Sequence, residues 1–427
     1  MTNSSNLSQN IMVSDGYSHG RKAADVKQFL FYTLIFLYFF FGKWNIFTIF
    51  RVSTDYLFWV FIAGLLGSFL VFEHKLRLSR EIIPVLIYLL YQSFEMHRSA
   101  YSSTALPAFI FNILTLWVFV FVKDREGYEK TFLNCLYYGG LYYAVTVVLQ
   151  AAFPSVLNRV REILLTSVDV AFGLRGYENT TRYLSGLASN SAVAAFFISM
   201  MVAICASRFL LNNQRYKHAV IAGVGMVTLF LTQKRSLALG TALAVVIVVL
   251  VFRKGIARKF RFLMGLFIVG SVSLYIMYRV MPAMTIFLNR LFQNQDILSG
   301  RNRMYDEMMV WFQANKLLGA GIGTANYLFG YGGHNCYRQL LGEEGIIGCI
   351  IYGLLVIPYL VSLFRQLYTS WNSPVQNKNT EPLLSASICL VIILIYALVG
   401  NPFYDFTFCL TLFMILAVPT QIRGEKL

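Results

Sequence analysis

Apolar runs about as long as a bilayer is thick follow one another along this chain from residue 29 to residue 421. A helix needs about 20 mostly apolar residues to cross a membrane. Twelve runs meet that need, at 29–50, 56–73, 81–95, 104–122, 131–152, 188–207, 218–233, 236–252, 262–281, 338–364, 382–399 and 402–421. Lys43 interrupts the first and the third is short. The runs are continuous, whereas barrel strands alternate apolar and polar residues. They predict an all-α, polytopic membrane bundle of about twelve helices in a single domain. Only 13% of the 427 residues are charged, against about 25% in soluble chains. That deficit excludes a soluble enzyme, a disordered chain and a disulfide scaffold.

The net charge is +16, yet nucleic acid is not the implied partner. Lys and Arg lie between apolar runs, where topology accounts for most of them. Short loops rich in cations stay inside, so Arg21, Lys22, Lys75, Arg77, Lys123, Arg125, Arg208, Arg253, Lys254 and Arg423 place both termini in the cytoplasm. Residues 1–27 are polar and predict a short cytoplasmic tail without a cleavable signal. The six Cys form no C-x-x-C pair and the five His lie far apart. Neither a disulfide framework nor a metal site is expected.

Two long loops, 153–187 and 282–337, fall on the outer face in this topology. Long loops in a tight bundle usually carry function. Their cations are not explained by topology, and binding an anionic substrate is the natural explanation. The second loop contains Gly300-Arg301-Asn302-Arg303, then a helix-like stretch with Tyr305, Met308, Met309 and Phe312 on one face. Gly319-Ala320-Gly321-Ile322-Gly323 follows; such glycines either cradle phosphate or simply permit turns. Next come Gly332-Gly333-His334-Asn335 and the entry to a long span. The positive end of that helix disfavours imidazolium at His334. A neutral His can act as a general base, or simply cap the helix. Lys234 and Arg235 occupy a hairpin between two spans, expected on the outer face. Two cations at a helix N-terminus make an anion site; the alternative is snorkelling to headgroups. Asp405 opens the last span and either orients another side chain or is an idle interfacial acid. Acids deep in the spans are otherwise absent, which argues against a proton-coupled transporter.

Thr232-Gln233-Lys234-Arg235-Ser236, Gly300-Arg301 before an amphipathic helix, the 319–323 glycines, and His334-Asn335 with Glu343 and Gly345 beyond occur here in order. Together they resemble the O-antigen polymerase and O-antigen ligase superfamily, which includes the Wzy-type polymerases of O-antigen and capsule. The matching stretch runs from about 230 to 350. Lys234 departs from the family's usual Ser or Thr, and Arg338 from its usual apolar residue. Arg175 with Gly186 resembles an Arg-and-Gly spacing of polymerase outer loops, without a copy in the second loop.

The resemblance implies a metal-independent glycosyltransferase of the bacterial inner membrane, without a cofactor. Donor and acceptor would be undecaprenyl-pyrophosphate-linked oligosaccharides. A chain-length regulator and a flippase would be its protein partners. His334 would take the acceptor proton, with Arg235 and Arg301 offsetting charge on the leaving diphosphate. Arg175, Lys234, Arg303, Asn335, Tyr337, Arg338 and Glu343 would contact substrate. Glu343 reads equally as an acid at a helix entrance. The polymerase is favoured over a ligase acting on lipid A-core by the loop 153–187 and Arg175. A flippase should show internal symmetry or broken helices, and neither is expected here.

Overall fold

A computed structural model describes residues 82–123, 127–165, 183–211, 215–257, 301–373 and 378–423, with isolated positions at 33, 125, 170–171, 259–260, 264, 271, 275 and 278–279. The tail 1–27, the expected span 56–73, Arg175, and all but the isolated positions of the expected spans 29–50 and 262–281 lie outside the described residues.

The described residues form twelve helices. They are α1 (Ile82–Arg98), α2 (Ser102–Val122), α3 (Tyr128–Ala152), α4 (Pro154–Leu164), α5 (Ser191–Leu210) and α6 (Arg215–Leu231). After these come α7 (Arg235–Phe252), α8 (Asn302–Ala314), α9 (Thr324–Phe329), α10 (Cys336–Trp371), α11 (Thr380–Tyr396) and α12 (Phe406–Arg423). Each expected span that falls on described residues is a helix. Five helices, α2, α3, α5, α7 and α10, are long and apolar enough to cross a bilayer. The protein is an all-α membrane helix bundle.

Helices apolar on every side belong to an interior or to lipid, and both cases occur. α11 and α12 bury most of their residues, as α5 does from Ala194 to Cys205, and the three form the centre, with Phe196 stacked on Phe408 at 4.2 Å. Peripheral helices leave apolar side chains outward, including Leu90 on α1, Leu243 on α7 and Leu354 on α10. Asn190 caps α5 by accepting from the Ala192 and Val193 amides, which fixes where that span begins.

The polar residues gather at two ends. One end holds Arg208, paired with Glu381 at 2.7 Å and bonded to Asn134, and Arg253 over the Trp371 ring. The opposite end holds the 301–338 segment, the α6–α7 turn and the 397–405 loop. Asp405 caps α12 there, accepting from the Thr407 and Phe408 amides.

α10 is not the single straight span the sequence suggests. It breaks at Gly345, which has φ +64° and ψ −164°. The break leaves backbone groups without helical partners, and residues 316–321 supply them. Ala320 and Gly321 donate to the carbonyls of Gly342 and Glu343, while Ile346 and Ile347 donate to the carbonyls of Lys316 and Leu317. Irregular backbone at membrane depth survives only when protein satisfies it in this way. Arg98 clamps the strap from α1, donating to the carbonyls of Leu318 and Gly319 at 2.5 and 3.0 Å. The expectation of no broken helix is therefore corrected.

Candidate active site

The strap decides the role of the 319–323 glycines. Gly319, Gly321 and Gly323 all have positive φ, and a Cβ at each would come within 3 Å of the backbone of Glu343, Ser99 and Ala105 respectively. The amides of Ala320 and Gly321 are already spent on α10. The segment is a close-packed turn and not a phosphate cradle.

His334 sits in the loop just before α10. Its N–H donates to Asn401 Oδ1 at 2.6 Å and its carbonyl accepts from Tyr305 Oη at 3.0 Å. The Tyr331 ring lies 5.2 Å from the imidazole ring. Two positions, His334 (φ 55°) and Gln233 (φ 56°), are the non-glycine residues with positive φ among the described ones. Such conformations cost roughly 1–3 kcal/mol each and concentrate at functional sites. One carries the imidazole and the other immediately precedes Lys234.

The imidazole pKa is lowered to about 4, first by burial and then by the charges of Arg301 and Lys234. The sequence attributes this to the helix dipole; burial and two cations from distant segments are the causes found. Arg301 donates to the Val399 carbonyl at 3.0 Å. The Arg338 guanidinium stacks 5.1 Å from the centre of the Tyr305 ring. Lys234, at the N-cap of α7, lies 6.0 Å from the centre of the Tyr183 ring, and Arg235 is the first residue of that helix. Leu184 N–H donates to the Leu231 carbonyl, which holds the Tyr183 loop against the α6–α7 turn. The result is an imidazole of lowered pKa near two cations, Arg301 at the N-cap of α8 and Lys234 at that of α7. Asn335 caps α10 by accepting from the Arg338 amide.

Three residues expected to contact substrate lie outside the His334 cluster. Arg303 is exposed on α8 and pairs with Glu307 at 2.8 Å, a surface pair of little energetic consequence. Tyr337 donates to the Leu394 carbonyl and meets the edge of Phe403, so it anchors α10 to α11. Glu343 is no exposed entry acid; it is fully buried, and its Oε1 accepts from the Ala325 amide and Gln339 Nε2. Gln339 Oε1 accepts from the Gly333 amide, so Glu343 reaches the His334 loop through one side chain. Sequence reasoning missed Asn401, Tyr331 and Gln339, which carry no motif of their own.

A base is competent only when neutral. Any activity that uses His334 as a base is therefore expected to be flat near neutral pH and to fall as pH drops through about 4. Lys234→Met removes one charge that disfavours imidazolium, so the acid limb should move to higher pH. Profiles of transfer rate against pH for both proteins check this; coincident limbs would count against the coupling.

Residues 219–353 match the family model described as O-antigen ligase. No curated protein matches the chain. The matched stretch takes in Lys234, Arg235, Arg301, His334, Arg338 and the break at Gly345. Fold and cluster together define a multi-pass, all-α membrane protein with a basic site at one end. The match is consistent with the superfamily of O-antigen ligases and polymerases and supports an O-antigen-related membrane enzyme.

Proposed function

We propose that the protein is a glycosyltransferase that polymerises lipid-linked oligosaccharide repeats at the periplasmic face of the inner membrane. The reading is carried by His334, held in left-handed backbone just before α10 with its pKa lowered to about 4 by burial and by Arg301 and Lys234. His334 accepts the proton of an acceptor sugar hydroxyl. The hydroxyl oxygen bonds to the anomeric carbon of the donor, and the bond from that carbon to the polyprenyl diphosphate breaks. Arg301, Arg235 and Lys234 offset the charge that grows on the diphosphate, the kind of preorganised stabilisation that contributes most in a dry site. Guanidinium suits phosphate oxygens because it binds them two at a time. The reading places Arg208 and Arg253 at the cytoplasmic end, in keeping with the bias of cations to that side.

The loop 153–187 and the Arg175–Gly186 spacing favour polymerase. The description of the matching family favours a ligase that moves the glycan to lipid A-core. The two part company in a strain lacking the native gene and carrying His334→Asn or Arg235→Ala at normal membrane levels. Asn is chosen at 334 because it tolerates the left-handed backbone. A polymerase defect leaves a single repeat on lipid A-core in place of the ladder. A ligase defect leaves lipid A-core bare while long lipid-linked polymer accumulates. An unchanged ladder from both variants would remove the catalytic assignment and return attention to transport.

A further inference from the structure

A cavity of about 240 Å³ opens between α1, α2, the turn into α9, the upper part of α10 and residues 403–404. It is separate from the cationic cluster, since no Lys, Arg or His is among the described residues lining it. Its polar wall is made of Asn112, Asn326, Glu343, Glu344 and Tyr404, and its apolar wall includes the rings of Phe111 and Phe403.

Two buried polar atoms of that wall have no hydrogen-bond partner. Glu343 is fully buried, and its Oε2 meets no donor in hydrogen-bond geometry, although the Gly323 amide lies close. The hydroxyl of Tyr404 is buried and unpartnered as well. Buried polar atoms are nearly always paired, so two orphans in one wall need a reason. By contrast, Glu344 is satisfied: its Oε2 accepts from Gln92, whose own amide oxygen accepts from Asn112. One carboxyl oxygen and one phenol hydroxyl are thus left without partners. Ligand hydroxyl groups, which both donate and accept, can meet either. No cation is among the described residues lining the cavity, so none there offsets the charge of a phosphate. A prenyl chain would bury Glu343 and Asn326 against hydrocarbon, at high cost. Polar groups together with aromatic faces suit the mixed surface of a sugar ring.

We propose that this cavity is a subsite for one neutral pyranose ring of the glycan, distinct from the diphosphate site. That the sugar belongs to the transferred glycan rests on the function proposed above; the binding itself does not. Gln339 joins the two sites, since it contacts both Glu343 and the amide before His334.

The test uses the purified full-length protein in detergent. Methyl glycosides of glucose, galactose, mannose, N-acetylglucosamine and N-acetylgalactosamine serve as probes in saturation-transfer NMR. At least one should bind the wild type, and should bind His334→Asn equally. Ala108→Trp fills the cavity and should abolish the signal. Tyr404→Phe should weaken binding about fivefold, the loss of about one hydrogen bond, and should melt no lower than wild type because it removes an unpartnered hydroxyl. Tyr404→Phe covers the case in which Ala108→Trp fails to fold. No binding of any probe to wild type would overturn the proposal. Undiminished binding to Tyr404→Phe would overturn it too. Loss of the ladder in His334→Asn with no glycoside bound would sink the subsite alone. A bound glycoside with an unchanged ladder would sink the polymerase reading alone.

Discussion

His334→Asn is expected to lower glycan transfer by about 10²–10⁴-fold, the usual contribution of one general base. That corresponds to roughly 3–5 kcal/mol of barrier. The loss should appear in turnover and not in protein level. The contacts that hold position 334 run through its backbone, to Asn401 and Tyr305, and Asn keeps both. The imidazole is half-buried and its pKa is lowered to about 4, so its replacement near neutral pH uncovers no buried charge. Turnover by purified protein, beside quantitative immunoblots of membranes, separates the two effects. A fall in turnover that only follows a fall in protein would make His334 a structural residue.

The second large effect is on the fold. Gly345→Ala is expected to destabilise the protein by about 2–5 kcal/mol, from left-handed backbone and overpacking together. An added Cβ would lie 2.4 Å from the Leu317 carbonyl oxygen, which is backbone and cannot swing aside. To relieve that clash the strap must lift, and four hydrogen bonds across the break go with it. Gly330→Ala is the control. Its φ is also positive, at +71°, but nothing lies within 4 Å of a Cβ there. It should cost about 1 kcal/mol, from conformation alone. Melting temperatures in detergent should rank wild type, then Gly330→Ala, then Gly345→Ala well below. Equal melting of the two variants would mean that the strap does not hold the break.

The spans were readable because lipid imposes length and composition on a helix. Lys234, Arg235, Arg301 and His334 were readable for a related reason: charge and imidazole are scarce in such a chain, so each stands out. What joins them was not readable. Asn401 and Tyr305 reach His334 from separate elements, and no spacing rule connects them. Gly345 sits in an apolar run that reads as one span, and only the pairing of residues 316–321 with α10 exposes the break. Glu343 looked like an entry acid because periodicity gives no depth; its burial goes with the strap, which packs Gly319 on its backbone, and with α9, whose Ala325 amide it accepts. The polar wall of the cavity comes from four distant segments, none with a pattern of its own.

The most direct measurement gives purified protein a synthetic polyprenyl-diphosphate-linked repeat and follows products by mass spectrometry. Wild type should yield glycans of two or more repeats with release of polyprenyl diphosphate, and His334→Asn should leave the starting material unchanged over the same time. Lengthening by His334→Asn at the wild-type rate would contradict a catalytic His334.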